Sequence, residues 1–145
     1  MKEARKPAIP DIAAEAERVI TSMRVPKRGE NDMMILRLKT NQIRKFLTAV
    51  NMVTNKIDVW HMKHSESKEL PDDLAAEVKY LKVRLAYQAG RDKEKQEKEV
   101  RNFIEKADLF ARIDAIGRDF NRYQDFAHFV EALVAYHRFY GGKER

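Results

Sequence analysis

The amino-acid sequence predicts an all-α protein, a compact bundle of about five helices with antiparallel neighbours. Apolar residues recur at helical spacings of three and four along most of the chain, and no alternating strand pattern persists. Only five glycines and four prolines occur in 145 residues, and three of the prolines precede residue 27. A chain of this length is expected to form one domain, residues 1–145.

The N-terminal segment, residues 1–32, predicts a loosely attached helix and a hinge loop. Asp11 lies where an acid is stabilised by the free amides of a first helical turn. The sequence VPKRGEND, residues 25–32, is the predicted loop. The apolar run that follows, residues 33–38, is too short to assign.

Two long helices are predicted in the middle of the chain. Thr40 is the predicted N-cap of the first, which ends near Ser65. Its apolar stripe contains Ile43, Phe46, Leu47, Val50, Val53, Ile57 and Trp60. The second helix starts at Pro71 with two acids behind it and closes at Gly90, a pattern typical of helix ends. Its buried row contains Leu74, Val78, Leu81 and Leu85.

The C-terminal part predicts a charged segment and then a wide apolar helix. The mixed-charge run 92–99 indicates a solvent-exposed helix face, and the helix continues to Ala111 with a break at Gly117. The last helix, residues 118–140, carries two neighbouring apolar rows that cover about half its circumference, wider than an ordinary surface helix. It is therefore embedded among several helices, or it also faces a partner chain. Gly141 and Gly142 end it.

Composition narrows the class of protein. The absence of cysteine excludes a disulfide framework and a thiolate zinc site. The N-terminus lacks a signal-peptide core, so we expect a cytoplasmic protein. Lysine and arginine number 29 against 23 acids, giving a net charge of +6. Such a balance indicates either a solvated helical surface or a polyanionic partner such as nucleic acid.

The first long helix has a locally unbalanced charge. Between residues 37 and 63 the only acid is Asp58, whereas six cations occur: Arg37, Lys39, Arg44, Lys45, Lys56 and Lys63. Lys45, Lys56 and Lys63 fall within about 20° of one another on the helical wheel. Lys39 and Thr40 lie at the N-terminus, where free amides attract phosphate oxygens. A solvated face and a phosphate-binding face are equally compatible with this pattern.

The second long helix carries a row of alternating aromatic and cationic residues. Its members, spaced four, three and four, are Tyr80, Arg84, Tyr87 and Arg91. Such a row suits single-stranded nucleic acid, because rings stack on bases and guanidinium groups contact phosphates. The simpler interpretation, which spacing alone favours, is that the tyrosines are boundary core residues covered by the arginines.

The histidines are the obvious enzyme candidates, but their context favours structural roles. His61 and His64 are three residues apart on the apolar stripe, without an acid cluster to complete a metal site. His128 is expected to be exposed and His137 to be structural. We find no catalytic triad, paired-carboxylate or glycine-rich phosphate motif, and no cofactor or metal is expected.

The C-terminal sequence FNRYQDFAHFVEALVAYHRFYGG, and above all EALVAYHRFYGG, resembles the small α-helical subunit of type III-A CRISPR–Cas effector complexes, the Csm complexes. Two weaker similarities occur in the expected order, LKTNQIRKFLTAVN and KYLKVRLAYQAGR. Together these stretches cover about a third of the chain.

The resemblance implies a non-catalytic RNA-binding subunit that helps to hold guide RNA and target RNA beside the backbone and large subunits. Self-association is expected as well. The residues that it implies as RNA contacts, together with Lys56 from the basic side, are Lys39, Thr40, Gln42, Arg44, Lys45, Arg84, Tyr87 and Arg91.

Three other functions remain open from the sequence. One is a histidine-dependent ribonuclease that uses His61, His64 or His128. Another is a helical protein–protein adaptor with a merely solvated basic face. A helix-turn-helix DNA-binding protein is the least favoured, because no tight glycine turn precedes a basic recognition helix.

Overall fold

The computed structural model describes residues 11–26, 34–92 and 98–143 of the chain. These residues form six helices and three short strands, which confirms the all-α prediction in its main feature. In chain order the elements are α1 (Ile12–Ser22), β1 (Arg24–Pro26), β2 (Met34–Lys39), α2 (Thr40–Lys63), α3 (Asp72–Asp92), α4 (Glu99–Ala107), α5 (Leu109–Ile116), α6 (Phe120–Phe139) and β3 (Gly142–Lys143).

The C-terminal helix α6 is the centre of the core. It packs against α1, α2 and α5, and Tyr123, Phe129 and Leu133 are almost completely buried. The wide apolar face predicted from two rows of side chains is therefore covered by neighbouring helices. Phe139, in the last turn, remains 76% exposed. The chain leaves α6 through Gly141 at φ 87°, a left-handed conformation that glycine adopts without strain.

The helix α1 packs against α6 and contributes to the same core. The carboxylate of Asp11 accepts a hydrogen bond from the Ala14 amide at 3.0 Å and caps the helix. Ala16 and Ile20 are fully buried, so in this part of the N-terminal segment apolar contacts fix the helix to the body. The predicted hinge loop falls mainly on residues outside the described ranges.

A small sheet corrects the sequence interpretation of residues 25–38. β1 pairs antiparallel with β2, and β2 pairs parallel with β3. Val25 and Pro26, predicted to be loop, belong to β1, while the unassigned apolar run is β2. Leu36 and Leu38 point into the core and Arg37 and Lys39 outward, the alternation of a half-buried strand. Six residues are too few to distinguish a strand from a helical turn by periodicity.

The side chain of His137 joins α6 to this sheet. Its Nε2 lies 2.6 Å from the Leu38 carbonyl oxygen, to which it donates a hydrogen bond, and the ring is 1% exposed. Burial lowers the pKa of His137, although the bond to the carbonyl partly opposes this shift. The expected structural role of His137 is confirmed.

A buried hydrogen-bond network joins α2 to α6. The Tyr123 hydroxyl donates to the Val50 carbonyl at 3.0 Å and lies 2.7 Å from the Thr54 hydroxyl. Burial, the largest cause, raises the pKa of Tyr123 to about 12. The network holds α2 at a fixed rotation, which determines the side chains that it presents outward.

Two helix ends differ from the sequence predictions. The residue before α2 is Lys39, whose amide donates to Gln42 Oε1 at 2.8 Å, so Thr40 is not the N-cap but a buried first-turn residue. The helix α3 continues past Gly90 to Asp92. Glycine inside a helix costs about 1 kcal/mol relative to alanine, which the surrounding turns can absorb.

The helix predicted to run through Val100 to Ala111 is interrupted. Asp108, at φ 55°, separates α4 from α5, and aspartate is among the few residues that adopt this conformation readily. The chain then breaks again at Gly117, as predicted. Most of the mixed-charge run, residues 93–97, lies outside the described residues. In the described ranges we find no helix with the length and hydrophobicity needed to cross a membrane.

Candidate nucleic-acid interface

The outer surface between α2 and α3 contains the most coherent set of predicted functional residues. Lys56 Nζ on α2 lies 2.9 Å from Glu77 Oε2 on α3, and Gln88 Nε2 donates to the Gln42 carbonyl oxygen at 2.9 Å. From the first contact to the second the residue number falls on α2, from Lys56 to Gln42, and rises on α3, from Glu77 to Gln88. The two helices are therefore antiparallel. They also identify the edge of each helix that borders the shared groove.

Three further cations follow the same two edges. Lys45 is eleven residues before Lys56, a spacing that returns it to within about 20° of the same direction on α2. Arg84 is seven residues after Glu77 on α3, a spacing that places it within about 20° of the same direction. Arg91 is seven residues further along the same edge. Measured from the level of the Lys56–Glu77 pair, Arg84, Lys45 and Arg91 lie about 10, 16 and 21 Å along the groove, at 1.5 Å of rise per residue.

We call these four residues, Lys45, Lys56, Arg84 and Arg91, the cation row. All four side chains are exposed. Lys45, Arg84 and Arg91 make no ion pair with any other residue that the structure describes. A row of cations without neutralising acids produces a local positive potential that attracts a polyanion.

The two tyrosines of α3 lie beside the cation row and are not core residues. Tyr80 is 54% exposed and Tyr87 is 69% exposed, so the boundary-core interpretation is wrong for both. The arginines do lie over them: the Arg84 guanidinium carbon is 5.4 Å from the Tyr80 ring centre, and that of Arg91 is 6.0 Å from Tyr87. Exposed contacts of this kind are worth about 0.5–1 kcal/mol, so a ligand can compete with them.

The remaining predicted residues lie around the N-terminus of α2. Lys39 and Arg44 are exposed, but Arg44 is rotated by about 100° from Lys45 and lies on the outer side of α2, away from the groove. Gln42 is occupied by its bonds to the Lys39 amide and to Gln88. The Thr40 side chain is 6% exposed, and its hydroxyl has no hydrogen-bond partner in the described structure.

Two features of this surface were not identified from the sequence. Glu77, which lies within the second of the predicted long helices, neutralises Lys56. Its position seven residues before Arg84, on the same edge, was the available signal. The second is a cleft at the end of the groove where α2 and α3 are joined. One of its lining residues is Trp60, a member of the predicted apolar stripe.

The histidines show no catalytic grouping in the described ranges. The His61 ring stacks on Phe120 at 4.0 Å. His64 Nδ1 lies 3.0 Å from the Trp60 carbonyl oxygen, and its ring stacks on Trp60 at 5.5 Å. His128 is exposed on α6, as expected. No group of three or more histidines, aspartates or glutamates capable of holding a metal occurs among the described residues.

A helical body with an exposed cation row defines a class, that of small α-helical proteins with a basic face. The comparisons with known proteins identify the family within that class. The family model described as Csm2 Type III-A matches residues 21–143. The chain belongs to this family, the small subunits of type III-A CRISPR complexes.

Known proteins that resemble the chain in sequence align with it over most of their length. The chain is 36% identical to the CRISPR system Cms protein Csm2 of Streptococcus thermophilus over 131 residues, covering 90% of this chain and 91% of the relative. It is 33% identical to the protein of that name from Enterococcus italicus, covering 78% and 76%. The Mycobacterium tuberculosis protein is 29% identical, covering 93% and 95%.

Proposed function

We propose that this chain is a non-catalytic, RNA-binding subunit that holds guide and target RNA in a type III-A CRISPR interference complex, together with the other subunits, in the cytoplasm. The observation that carries the proposal is the cation row on one groove of a protein that belongs to the Csm2 family. Three of its four cations have no acidic partner in the described structure.

The chemistry of the row supports contact with the RNA backbone. Lysine and arginine bind phosphate oxygens, which carry no sequence information, whereas base edges are read by other contacts. A guide-directed complex has to accept many targets, so its small subunit is expected to bind phosphates and to ignore base identity. The exposed Tyr80 and Tyr87 rings add surfaces on which any base can stack.

The positions of the histidines support a non-catalytic role. A ribonuclease mechanism needs an acid and a base within reach of one phosphate. His137 is buried against the Leu38 carbonyl, His61 stacks on Phe120 and His64 on Trp60. His128 is exposed on a different helix, α6. In the histidine-dependent alternative, pure protein would degrade RNA and a histidine substitution would abolish the activity.

A salt titration tests the proposal directly. Two labelled RNAs of unrelated sequence are titrated with the purified chain at increasing salt. With three or four phosphate contacts to a single strand, the slope of log affinity against log salt is expected to be roughly −2 to −3 for both RNAs. A flat response, or strong preference for one sequence, would contradict backbone binding.

Subunit docking is a second, compatible role that the surface supports. Met62 is 82% exposed and Phe139 is 76% exposed, and burying each such side chain in an interface contributes about 1.5–3 kcal/mol. We propose that these residues contact neighbouring subunits or a second copy of the chain. Light scattering at tens of micromolar, compared between the natural chain and Phe139→Ser, measures the self-association part.

A further inference from the structure

The groove between α2 and α3 ends in a cleft where the two helices are joined. Its volume is about 760 Å³, within the range of about 300–1,000 Å³ typical of small-ligand sites. The last turns of α2 form one wall and the first turn of α3 the other. The lining residues are Asn55, Lys56, Val59, Trp60, Lys63, His64, Pro71, Asp73 and Leu74.

The Trp60 ring in this cleft is held by aromatic neighbours. His64 stacks on it at 5.5 Å with an angle of 18° between the ring planes, and Phe120 lies 6.3 Å from it with the ring planes tilted by 54°. The His64 ring is itself fixed by its bond to the Trp60 carbonyl. An indole fixed in this way loses little conformational freedom when a ligand stacks on it.

The cleft is continuous with the cation row. Lys56 belongs to both, and Lys63 lies about 10 Å further along the same edge of α2. A strand whose phosphates follow Arg91, Lys45 and Arg84 therefore reaches the cleft mouth, which Lys56 and Lys63 line together with Trp60. Asp73 is the single acid in the lining, and Glu77 pairs with Lys56 from outside it, so Lys63 is the lining cation without an ion pair among the described residues.

We propose that this cleft binds one unpaired nucleobase of the RNA strand that follows the cation row. The inference rests on the proposed RNA-binding function and deepens it. A nucleobase has the flat apolar face that stacks on an indole whatever its sequence, and it is joined to a phosphate within reach of Lys56 or Lys63. An apolar peptide side chain would match the lining but would leave the Lys63 ammonium without an anionic partner.

The experiment uses Trp60 fluorescence, because this is the single tryptophan of the chain. The full-length protein is titrated with a fluorescein-labelled oligouridine of about ten nucleotides and with an abasic ribose-phosphate oligomer of equal length. Anisotropy of the label reports binding. We expect both oligomers to bind, but only oligouridine to quench Trp60, since only it carries a base that can stack.

Substitutions in the cleft distinguish base binding there from phosphate binding along the cation row. Trp60→Leu is expected to weaken oligouridine binding about tenfold and to leave binding of the abasic oligomer unchanged. Because Trp60 also packs on Phe120, the exposed His64→Ala and Lys63→Ala provide a second measurement that does not disturb this contact. The matched control for His64→Ala is His128→Ala, an exposed histidine on α6, which is expected to change neither titration.

The outcomes distinguish this inference from the function on which it rests. If both oligomers bind equally and Trp60 fluorescence stays constant, the base site is overturned while backbone binding stands. If neither oligomer binds at low salt, the proposed function fails and the base site with it. Fluorescence that changes only when another subunit of the complex is added would make the cleft a protein-docking site and overturn the inference.

Discussion

Lys56 Nζ on α2 lies 2.9 Å from Glu77 Oε2 on α3, and this ion pair lies at one end of an otherwise unneutralised row of cations. Both side chains are substantially exposed, at 53% and 40%. Exposed pairs contribute only about 0–1 kcal/mol to stability. The pair therefore contributes little to the free energy of folding, but it changes the charge of the groove, because Glu77 neutralises one of the four cations of the cation row.

The first prediction concerns that acid. Glu77→Gln releases Lys56 without changing side-chain shape, so RNA affinity should rise and the salt slope should become steeper by about 0.7, the increment for one more phosphate contact on a single strand. The melting temperature should change little. Labelled single-stranded RNA, titrated at several salt concentrations, gives both affinity and slope.

The matched control for Glu77→Gln is Asp114→Asn. Asp114 forms an exposed pair with Lys82 on a different edge of α3, so its removal makes the same change in net charge away from the groove. If both variants raise RNA affinity equally, the effect is one of total charge, and the groove has no special role.

The second prediction concerns the arginines of the row. Arg84→Ala combined with Arg91→Ala should lower RNA affinity and flatten the salt slope by about 1.4, which corresponds to two lost contacts. Each arginine covers an exposed tyrosine rather than a core residue. The melting temperature should therefore stay nearly unchanged, whereas a structural role would lower it.

Lys79→Ala combined with Arg101→Ala removes the same charge as a control. Lys79 is exposed on α3 but points about 160° away from the groove-facing Glu77, and Arg101 is exposed on α4. Equal loss of affinity in both double variants would mean that RNA is attracted by the net charge of the protein and not held by the row.

The fold was predictable wherever one apolar stripe was long. α2 and α6 extend for 24 and 20 residues, so their periodicity is repeated over several turns. β2 has six residues, which is too short for a period of two to be distinguished from a helical turn. Its pairing with β1 and β3 joins segments distant in the sequence, and no local pattern contains that information.

The candidate site was predictable as a set of cations but not as a surface. Spacing alone identified Lys45 and Lys56 on one edge and Arg84 and Arg91 on another. The relative rotation of the two helices came only from contacts across the groove. Two further details depend on tertiary structure: Thr40 is buried where α2 begins, and Glu77 faces Lys56 across the groove.

The third prediction tests the network that fixes α2 against α6. Tyr123→Phe removes the hydroxyl that donates to the Val50 carbonyl, whereas Thr54 Oγ1, which donates to the same carbonyl at 2.9 Å, remains. The expected cost is therefore about 1 kcal/mol of unfolding free energy. Adding Thr54→Val should cost more than the two single changes predict, because the Val50 carbonyl then loses both side-chain donors. Chemical denaturation of the four proteins gives the coupling energy, and strict additivity would contradict a shared network.

The fourth prediction is a pH dependence that arises at His137. Because its pKa in the folded protein lies below the ordinary value of 6.5, the unfolded chain binds the proton more tightly. The stabilisation is complete above about pH 6.5 and is lost as the pH falls toward the folded value, with a slope of at most about 1.4 kcal/mol per pH unit. The measurement is the free energy of unfolding between pH 7.5 and about pH 5.

His137→Gln isolates this contribution. Glutamine can place an amide donor near the position of Nε2, so the bond to the Leu38 carbonyl is kept while the titrating group is removed. In the His137→Gln variant the free energy of unfolding should fall less steeply below about pH 6.5 than in the natural chain. The His128→Gln variant, changed on the exposed side of α6, should keep the steeper fall. Protonated His137 still donates through Nε2, so the loss of stability at low pH comes from the buried positive charge and not from loss of the bond to the Leu38 carbonyl. If the free energy of unfolding falls equally steeply at acid pH in the His137→Gln variant and in the natural chain, carboxylates and not His137 cause the pH dependence.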